Sequence, residues 1–160
     1  MNPDVRKSVL RKMTYGMWLL STGVGDDLEG SSVTWVTQVS FTPPLVTVAL
    51  RGDSRLCKMV AKHKAAVLHL FQRHQKDLAE SFTKPTLCGQ GKIGGIAFKP
   101  AAATGMPLLE GFGAWFEVKV VDTVARGDHT VFVCEVVEVG ETEPQAKPLI
   151  LSDVGWNYGG

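Results

Sequence analysis

Residues 113–141, GAWFEVKVVDTVARGDHTVFVCEVVEVGE, hold two long runs of β-branched and aromatic residues on either side of the tetrapeptide ARGD. Runs of this kind joined by so short a connection can pair only by folding back on one another as an antiparallel hairpin. Both faces of the second run are apolar, so it needs cover on both sides, as in a closed or heavily covered sheet. A mainly β, antiparallel architecture follows before any other segment is considered.

The rest of the chain adds strands of the same sort. MWLLSTG (17–23), the turn signal GDDLEG and SSVTWVTQVS (31–40) read as a hairpin that stops at Pro43 and Pro44. LVTVALR (45–51) is the next strand, and GDSRLCKMVAKH follows as a helix capped by Asp53 or Ser54. AAVLHLF (65–71) is a buried strand, HQKDLAESFTKP holds a short helix that stops before Pro85, and PLILSD is a final short strand. Near the start, Asp4 caps a helix through VRKSVLRKM whose Val5, Val9, Leu10 and Met13 share one face, expected to lie over a barrel end with the basic face in solvent. Residues 86–107, rich in glycine, proline and alanine, read as a long surface excursion. About seven strands and two or three short helices make a split antiparallel β-barrel with peripheral helices the expected architecture, in one domain over residues 1–160.

Composition narrows the function. With 160 residues, 44% hydrophobic content and a formal net charge of +1, the chain can bury a core unaided and has no charge excess suited to nucleic acid. The longest apolar runs fall well short of the roughly 20 residues that span a bilayer, and no basic-then-apolar leader pattern is present, so a cytoplasmic protein is expected. Cys57, Cys88 and Cys134 have neither metal-ligand nor disulfide-framework spacing. Three free thiols fit a reducing compartment, and Cys134 reads as a core residue.

No GxGxxG after a strand, Walker loop, HExxH or GxSxG occurs, and GQGKIGG (89–95) reads as a flexible loop. In 31–40 neither strand face is purely apolar: Ser32, Thr34, Val36 and Gln38 point one way and Val33, Trp35, Thr37 and Val39 the other. Two readings stand. The hydroxyls either serve a polar ligand or are β-favouring residues on an outer face. GDSR (52–55) joins free backbone N–H groups, a hydroxyl and a guanidinium at a helix start, which suits a phosphate cradle or a plain capped helix. His129 opens a strand just after a tight turn, where it either meets a ligand or stays a solvated turn residue. His63 and His74 are expected on exposed helical faces, and His69 as a satisfied core histidine.

In chain order, WVTQVSFTPPLVTVAL, DSR before a helix, AAVLHLF, SFTKP, PLLEG and GDHTVFVCEVVEVG together resemble the flavin reductase-like family of FMN-binding split β-barrels, especially bacterial members described as probable flavoproteins. The resemblance runs from about residue 4 to the end. It implies that the strand from Ser32 to Gln38 runs beside a flavin, lined by Thr34, Trp35, Val36 and Thr37. It further implies that Ser54 and Arg55 approach the FMN phosphate, with Lys84 as a second cation and Arg51 in the cofactor-binding set. His129 falls near the flavin ring where nicotinamide stacks, as the catalytic-site residue that positions the nicotinamide or supplies a hydrogen bond to the flavin. Trp156 and Tyr158 would close over the flavin or dock on a partner subunit, since members are homodimers. Two positions depart from the family pattern. Many reductases carry a small residue at Trp35 and an asparagine at His69, and a Trp35 turned toward the ring would narrow the nicotinamide pocket.

The activity so implied is an NAD(P)H:flavin oxidoreductase, with FMN as cofactor or substrate, NADH or NADPH as hydride donor, and an oxygenase among the acceptors it would suit. Two rivals are an electron-transfer flavoprotein with bound FMN and a flavin-free dimeric binding barrel.

Overall fold

The computed structural model describes residues 1–159. In chain order the elements are α1 (Pro3–Leu10), β1 (Trp18–Val24), β2 (Asp27–Val33), β3 (Val36–Ser40), β4 (Leu45–Arg51), α2 (Arg55–His63), β5 (Ala65–Leu70) and α3 (Lys76–Ser81). They continue as β6 (Cys88–Gly89), β7 (Lys92–Ile93), β8 (Ile96–Pro100), β9 (Pro107–Leu109), β10 (Ala114–Ala125), β11 (His129–Glu141) and a 3₁₀ turn (Leu151–Val154).

The predicted hairpin is β10 and β11, of 12 and 13 residues, antiparallel throughout with bulges after Glu117 and Val120. Around it forms an all-antiparallel seven-stranded sheet in the order β2-β1-β5-β10-β11-β4-β3. The two edge strands, β2 and β3, are consecutive in the chain, with only Thr34 and Trp35 between them. Val33 and Val36 can therefore be at most about 11 Å apart. The sheet must curl until its edges nearly meet, yet they do not pair, which is the geometry of a split barrel.

Strands β1 and β5 are buried on both faces, with five consecutive buried residues each, whereas β10 and β11 bury only two residues each. Leu20, Leu68, Val118 and Phe132 pack inside the curled sheet with Leu56 and Val60 of α2. Leu19, on the opposite face of β1, packs instead with Phe71, Phe82, Ile93 and Leu149. The polar residues of β1 are satisfied: Ser21 donates to the Pro107 carbonyl and Thr22 to that of Ala65 at 2.8 Å.

Several expectations need correction. The stretch 31–40 is two strands, because Trp35 turns from one sheet edge to the other: its carbonyl accepts from Ala49 N at 3.0 Å. Of the turn signal GDDLEG only Gly25 and Asp26 form the turn, and the remainder is already β2. Residues 86–107 are no bare excursion but carry a second, four-stranded sheet, β6-β7-β8-β9, which covers the outer core. PLILSD makes only two isolated bridges, Gln72 to Pro148 and Gly16 to Ile150, before the 3₁₀ turn. The cap of α1 is Asn2 rather than Asp4, and its apolar side covers nothing: Val5, Val9, Leu10 and Met13 are all exposed. His63 is not free on a polar face, since its ring is 10% exposed and lies 3.3 Å from Asp27. His69 is a core histidine, as expected.

Candidate active site

The gap in the barrel is also where a groove opens, beside the enclosed and unpaired indole Nε1 of Trp35. A groove of about 610 Å³ opens along Ser31, Ser32 and the Thr34–Trp35 link, passes the end of β4 at Leu50 and Arg51, and reaches Ser54 and Leu56 at the start of α2. Met17, Leu151 and Trp156 give it apolar walls, and Thr83, Asn157 and Tyr158 stand at its rim. A second cavity, about 760 Å³, adjoins it on the far side of Trp35 and is lined by Gly127, Asp128, His129 and Gly159. Trp35, Arg51, Asp53 and Tyr158 border both spaces and form the wall between them.

The hydroxyls of β2 behave differently from the ligand-facing expectation. Ser32 Oγ donates to the Ala79 carbonyl at 2.7 Å and Ser31 Oγ to that of Phe82 at 3.1 Å, so both cap the orphan carbonyls at the end of α3. By contrast, the backbone N–H groups of Thr34 and Trp35 make no hydrogen bond among the described residues, and neither does the fully enclosed indole Nε1 of Trp35. An enclosed donor with no acceptor carries a desolvation cost that a bound polar group would relieve.

At the start of α2, Ser54 is the N-cap: its hydroxyl accepts from Cys57 N at 3.1 Å and donates to the Arg51 carbonyl at 2.7 Å. The N–H groups of Arg55 and Leu56 in the first turn have no intrahelical partner and form the positive end of the helix. The two guanidiniums beside it are already engaged. Arg51 grips Asp53 with two bonds of 2.6 and 3.1 Å, which raises the arginine's pKa and holds the Asp53 carboxyl below its usual range. Arg55 turns away from the groove to Glu29 at 2.7 Å and Asp27 at 3.4 Å.

His129, the first residue of β11, has both ring nitrogens occupied: Nδ1 lies 2.8 Å from Asp128 Oδ1 and Nε2 lies 2.7 Å from Tyr158 Oη. A carboxylate only accepts, so Nδ1 carries a proton, and in the neutral ring Nε2 accepts from the tyrosine hydroxyl. The hydrogen bond from His129 also holds the Asp128 carboxyl below its usual range. Trp35 packs against the imidazole with centroids 4.5 Å apart and against Tyr158 at 5.2 Å.

The fold thus brings together Ser32, Thr34, Trp35, Arg51, Ser54, Trp156 and Tyr158 around the groove, with His129 behind the shared wall. Val36 is half-buried at the start of β3, while Thr37 and Gln38 lie exposed along that strand, outside both cavities. Lys84 is exposed beside Thr83 and does not line the groove, and neither does Arg55. Sequence reasoning missed Met17, Leu50, Thr83, Leu151 and Asp128. Thr83 and Asp128 sit inside the motifs FTKP and GDH and were within reach. Met17 and Leu151 arrive through the Met17 N to Leu149 carbonyl contact at 2.9 Å, for which no local pattern exists.

Residues 10–158 match the family model for the flavin reductase like domain. The chain belongs to the flavin reductase-like family. Among similar members, the NADH:FMN oxidoreductase of Rhodococcus qingshengii is 27% identical over 147 residues, covering 90% of this chain and 75% of that one. The NADH-dependent flavin reductase StyB of Pseudomonas fluorescens is 30% identical over 125 residues, covering 78% and 70%. The styrene monooxygenase flavin reductase of Pseudomonas putida S12 superposes with a TM-score of 0.77 at 28% identity, covering 98% and 97%.

For this member of the flavin reductase-like family, the groove fits a flavin mononucleotide. Apolar walls suit a flat heteroaromatic ring, the free amides of Thr34 and Trp35 suit its acceptor edge, and the α2 N-terminus with Ser54 suits a phosphate.

Proposed function

We propose that this flavin reductase-like protein is an NAD(P)H:flavin oxidoreductase that holds FMN in the groove at the barrel split and accepts a nicotinamide in the adjoining cavity. The observation that carries the reading is the shared wall: two spaces of ligand size are separated only by Trp35, Arg51, Asp53 and Tyr158, so two planar rings meet face to face there once the side chains of that wall give way. When bound, the flavin supplies the hydride acceptor. The chain supplies orientation, charge and exclusion of water. Thr34 and Trp35 offer backbone donors, Ser54 and the first turn of α2 hold the phosphate, and Trp156 covers the apolar side of the groove. His129, fixed in one tautomer by Asp128, presents an acceptor nitrogen that orients the nicotinamide.

An electron-transfer flavoprotein is the second reading, favoured by one observation: the Tyr158–His129 hydrogen bond and the Trp35 indole narrow the nicotinamide side. Anaerobic titration of the FMN-loaded protein with NADH and with NADPH separates the two. Bleaching of the flavin bands by either nucleotide is the expected result. Tight FMN binding with no bleaching by either sinks the reductase reading and supports the second, and failure to bind FMN at all leaves a flavin-free barrel.

The same reading includes a homodimer, a cytoplasmic setting and an oxygenase as the acceptor of reduced flavin. Supporting the first, Val39 and Phe41 beside the β3 edge and Val121 and Val124 on β10 all stand in solvent, and buried against a second copy they would no longer do so. For the second, Cys57, Cys88 and Cys134 are free thiols, and no helix among the described residues is long and apolar enough to cross a membrane. Supporting the third, a similar protein is the flavin reductase of a styrene monooxygenase.

A further inference from the structure

The two cavities do not communicate freely, because Tyr158 stands between them. Its ring meets Trp35 edge-on at 5.2 Å and His129 at 5.8 Å, and its hydroxyl donates to His129 Nε2 at 2.7 Å. Since Asp128 already claims the proton on Nδ1, the Tyr158 hydroxyl fills the single acceptor that His129 has to offer. An aromatic ring carrying an N–H or O–H donor therefore occupies the place where the shared wall would receive a second ring. A nicotinamide has that same combination, a flat ring with a carboxamide N–H donor.

The segment that carries Tyr158 is lightly held. Residues 155–159 belong to no strand or helix, and Gly155, Asn157 and Tyr158 are exposed. Among the described residues its hydrogen bonds besides those of Tyr158 are Gly155 N to the Ser152 carbonyl at 3.2 Å and Arg11 Nε to the Gly159 carbonyl at 3.1 Å, and Trp156 packs half-buried against the outer core, so that residues 157–159 are the part free to swing. Local opening of a segment with so few bonds costs little compared with opening a strand of the sheet. Opening also has a driving force. Gly159 closes over the Trp35 indole, where even a Cβ would come within 3.1 Å of Cζ2, and Trp35 Nε1 is left enclosed without an acceptor. Releasing the segment lets that donor reach water or a ligand.

We propose that Tyr158 is a built-in competitor for the nicotinamide subsite, displaced from His129 and Trp35 when the dinucleotide binds. The proposal rests on the reductase reading above and adds to it a residue that sets nucleotide affinity. Only molecules with the tyrosine swung out are competent, so the apparent dissociation constant is the intrinsic one divided by the fraction that is open.

The test compares wild type with Tyr158→Phe, which keeps the ring and removes the hydroxyl, and Tyr158→Ala, which removes both. NADH and NADPH binding is measured by calorimetry on the FMN-loaded protein under conditions where turnover is prevented, alongside steady-state KM and kcat. Losing one neutral hydrogen bond from the closed state should tighten nicotinamide binding about fivefold in Tyr158→Phe, and Tyr158→Ala should tighten it further. The change is expected in the dissociation constant and KM of the nucleotide. Hydrogen exchange supplies an independent reading: residues 155–159 of the wild type should exchange faster when nucleotide is added. If turnover persists while both variants bind nucleotide no more tightly than wild type, the competitor role is overturned and the reductase reading stands. If wild type and variants alike neither bind nor oxidise either nucleotide, the reductase reading fails and this proposal fails with it.

Discussion

Ser54 shows how much one side chain can decide. Its hydroxyl closes the first turn of α2 through Cys57 N and ties that turn to the end of β4 through the Arg51 carbonyl, so the helix start is held against the groove. Ser54→Ala should cost about 1 kcal/mol in a urea unfolding experiment, the usual loss for an N-cap. It should also weaken FMN more than riboflavin, which lacks the phosphate; equal loss for the two ligands, measured by fluorescence titration, would remove the helix start from the phosphate site. Arg55 is the contrasting case. Its side chain is 62% exposed and its guanidinium spends its bonds on Glu29 and Asp27, so Arg55→Ala is expected to weaken FMN less than Ser54→Ala does. From the tetrapeptide GDSR alone the two residues look equally suited to a phosphate, because the carboxylates that claim the arginine come from β2, more than twenty residues earlier in the chain.

At the level of elements, the β10–β11 hairpin does more than supply sheet. Glu117, fully buried beside the first bulge of β10, accepts from Ala103 N at 3.1 Å, Thr104 N at 2.7 Å and Thr104 Oγ1 at 2.7 Å. Among the described residues Glu117 makes no salt bridge, so these donors are what satisfy its buried side chain, and they in turn fold the turn between β8 and β9. Glu117→Gln keeps the shape but turns an N–H₂ toward N–H donors. It should lower stability by about 2 kcal/mol in urea unfolding, with exchange protection lost first over residues 101–106. The hairpin itself, β4, β5 and the Ser54-capped α2 were legible because each is defined by local pattern: alternation, a turn, a cap. The second sheet was not. Its strands are two to five residues long, too short for periodicity to register, and they exist because Ile93 and Leu109 reach the outer core. The break at Thr34–Trp35 was equally invisible, for Val33 to Thr37 are all β-favouring residues and only the closing of the sheet decides where the chain must cross.

Across the whole molecule, His69 joins the two sheets. Its Nδ1–H donates to the Leu19 carbonyl at 3.2 Å in β1, and its Nε2 accepts from Leu109 N at 2.9 Å in β9. Burial pushes its pKa down from 6.5 to about 4, and protonation would set an N–H against the Leu109 N–H. Because the folded value lies below the unfolded one, the neutral ring's contribution is complete above about pH 6.5 and is lost as pH falls toward about 4. The difference amounts to about 3 kcal/mol. His69→Asn should flatten the acid side of a stability–pH profile in that window; an unchanged slope would show that His69 does not govern it. From the residues alone come the antiparallel β class, the main strands, the histidine's place in the core and, through ordered motifs, the family. Each depends on contacts near in sequence or on residue types that tolerate few environments. How far the sheet curls, which cations remain free at the groove and which ring stands against His129 depend on groups that meet across the barrel split, such as Glu29 with Arg55 and Tyr158 with His129. No spacing along the chain encodes those meetings, because they are set by closing the sheet over its core.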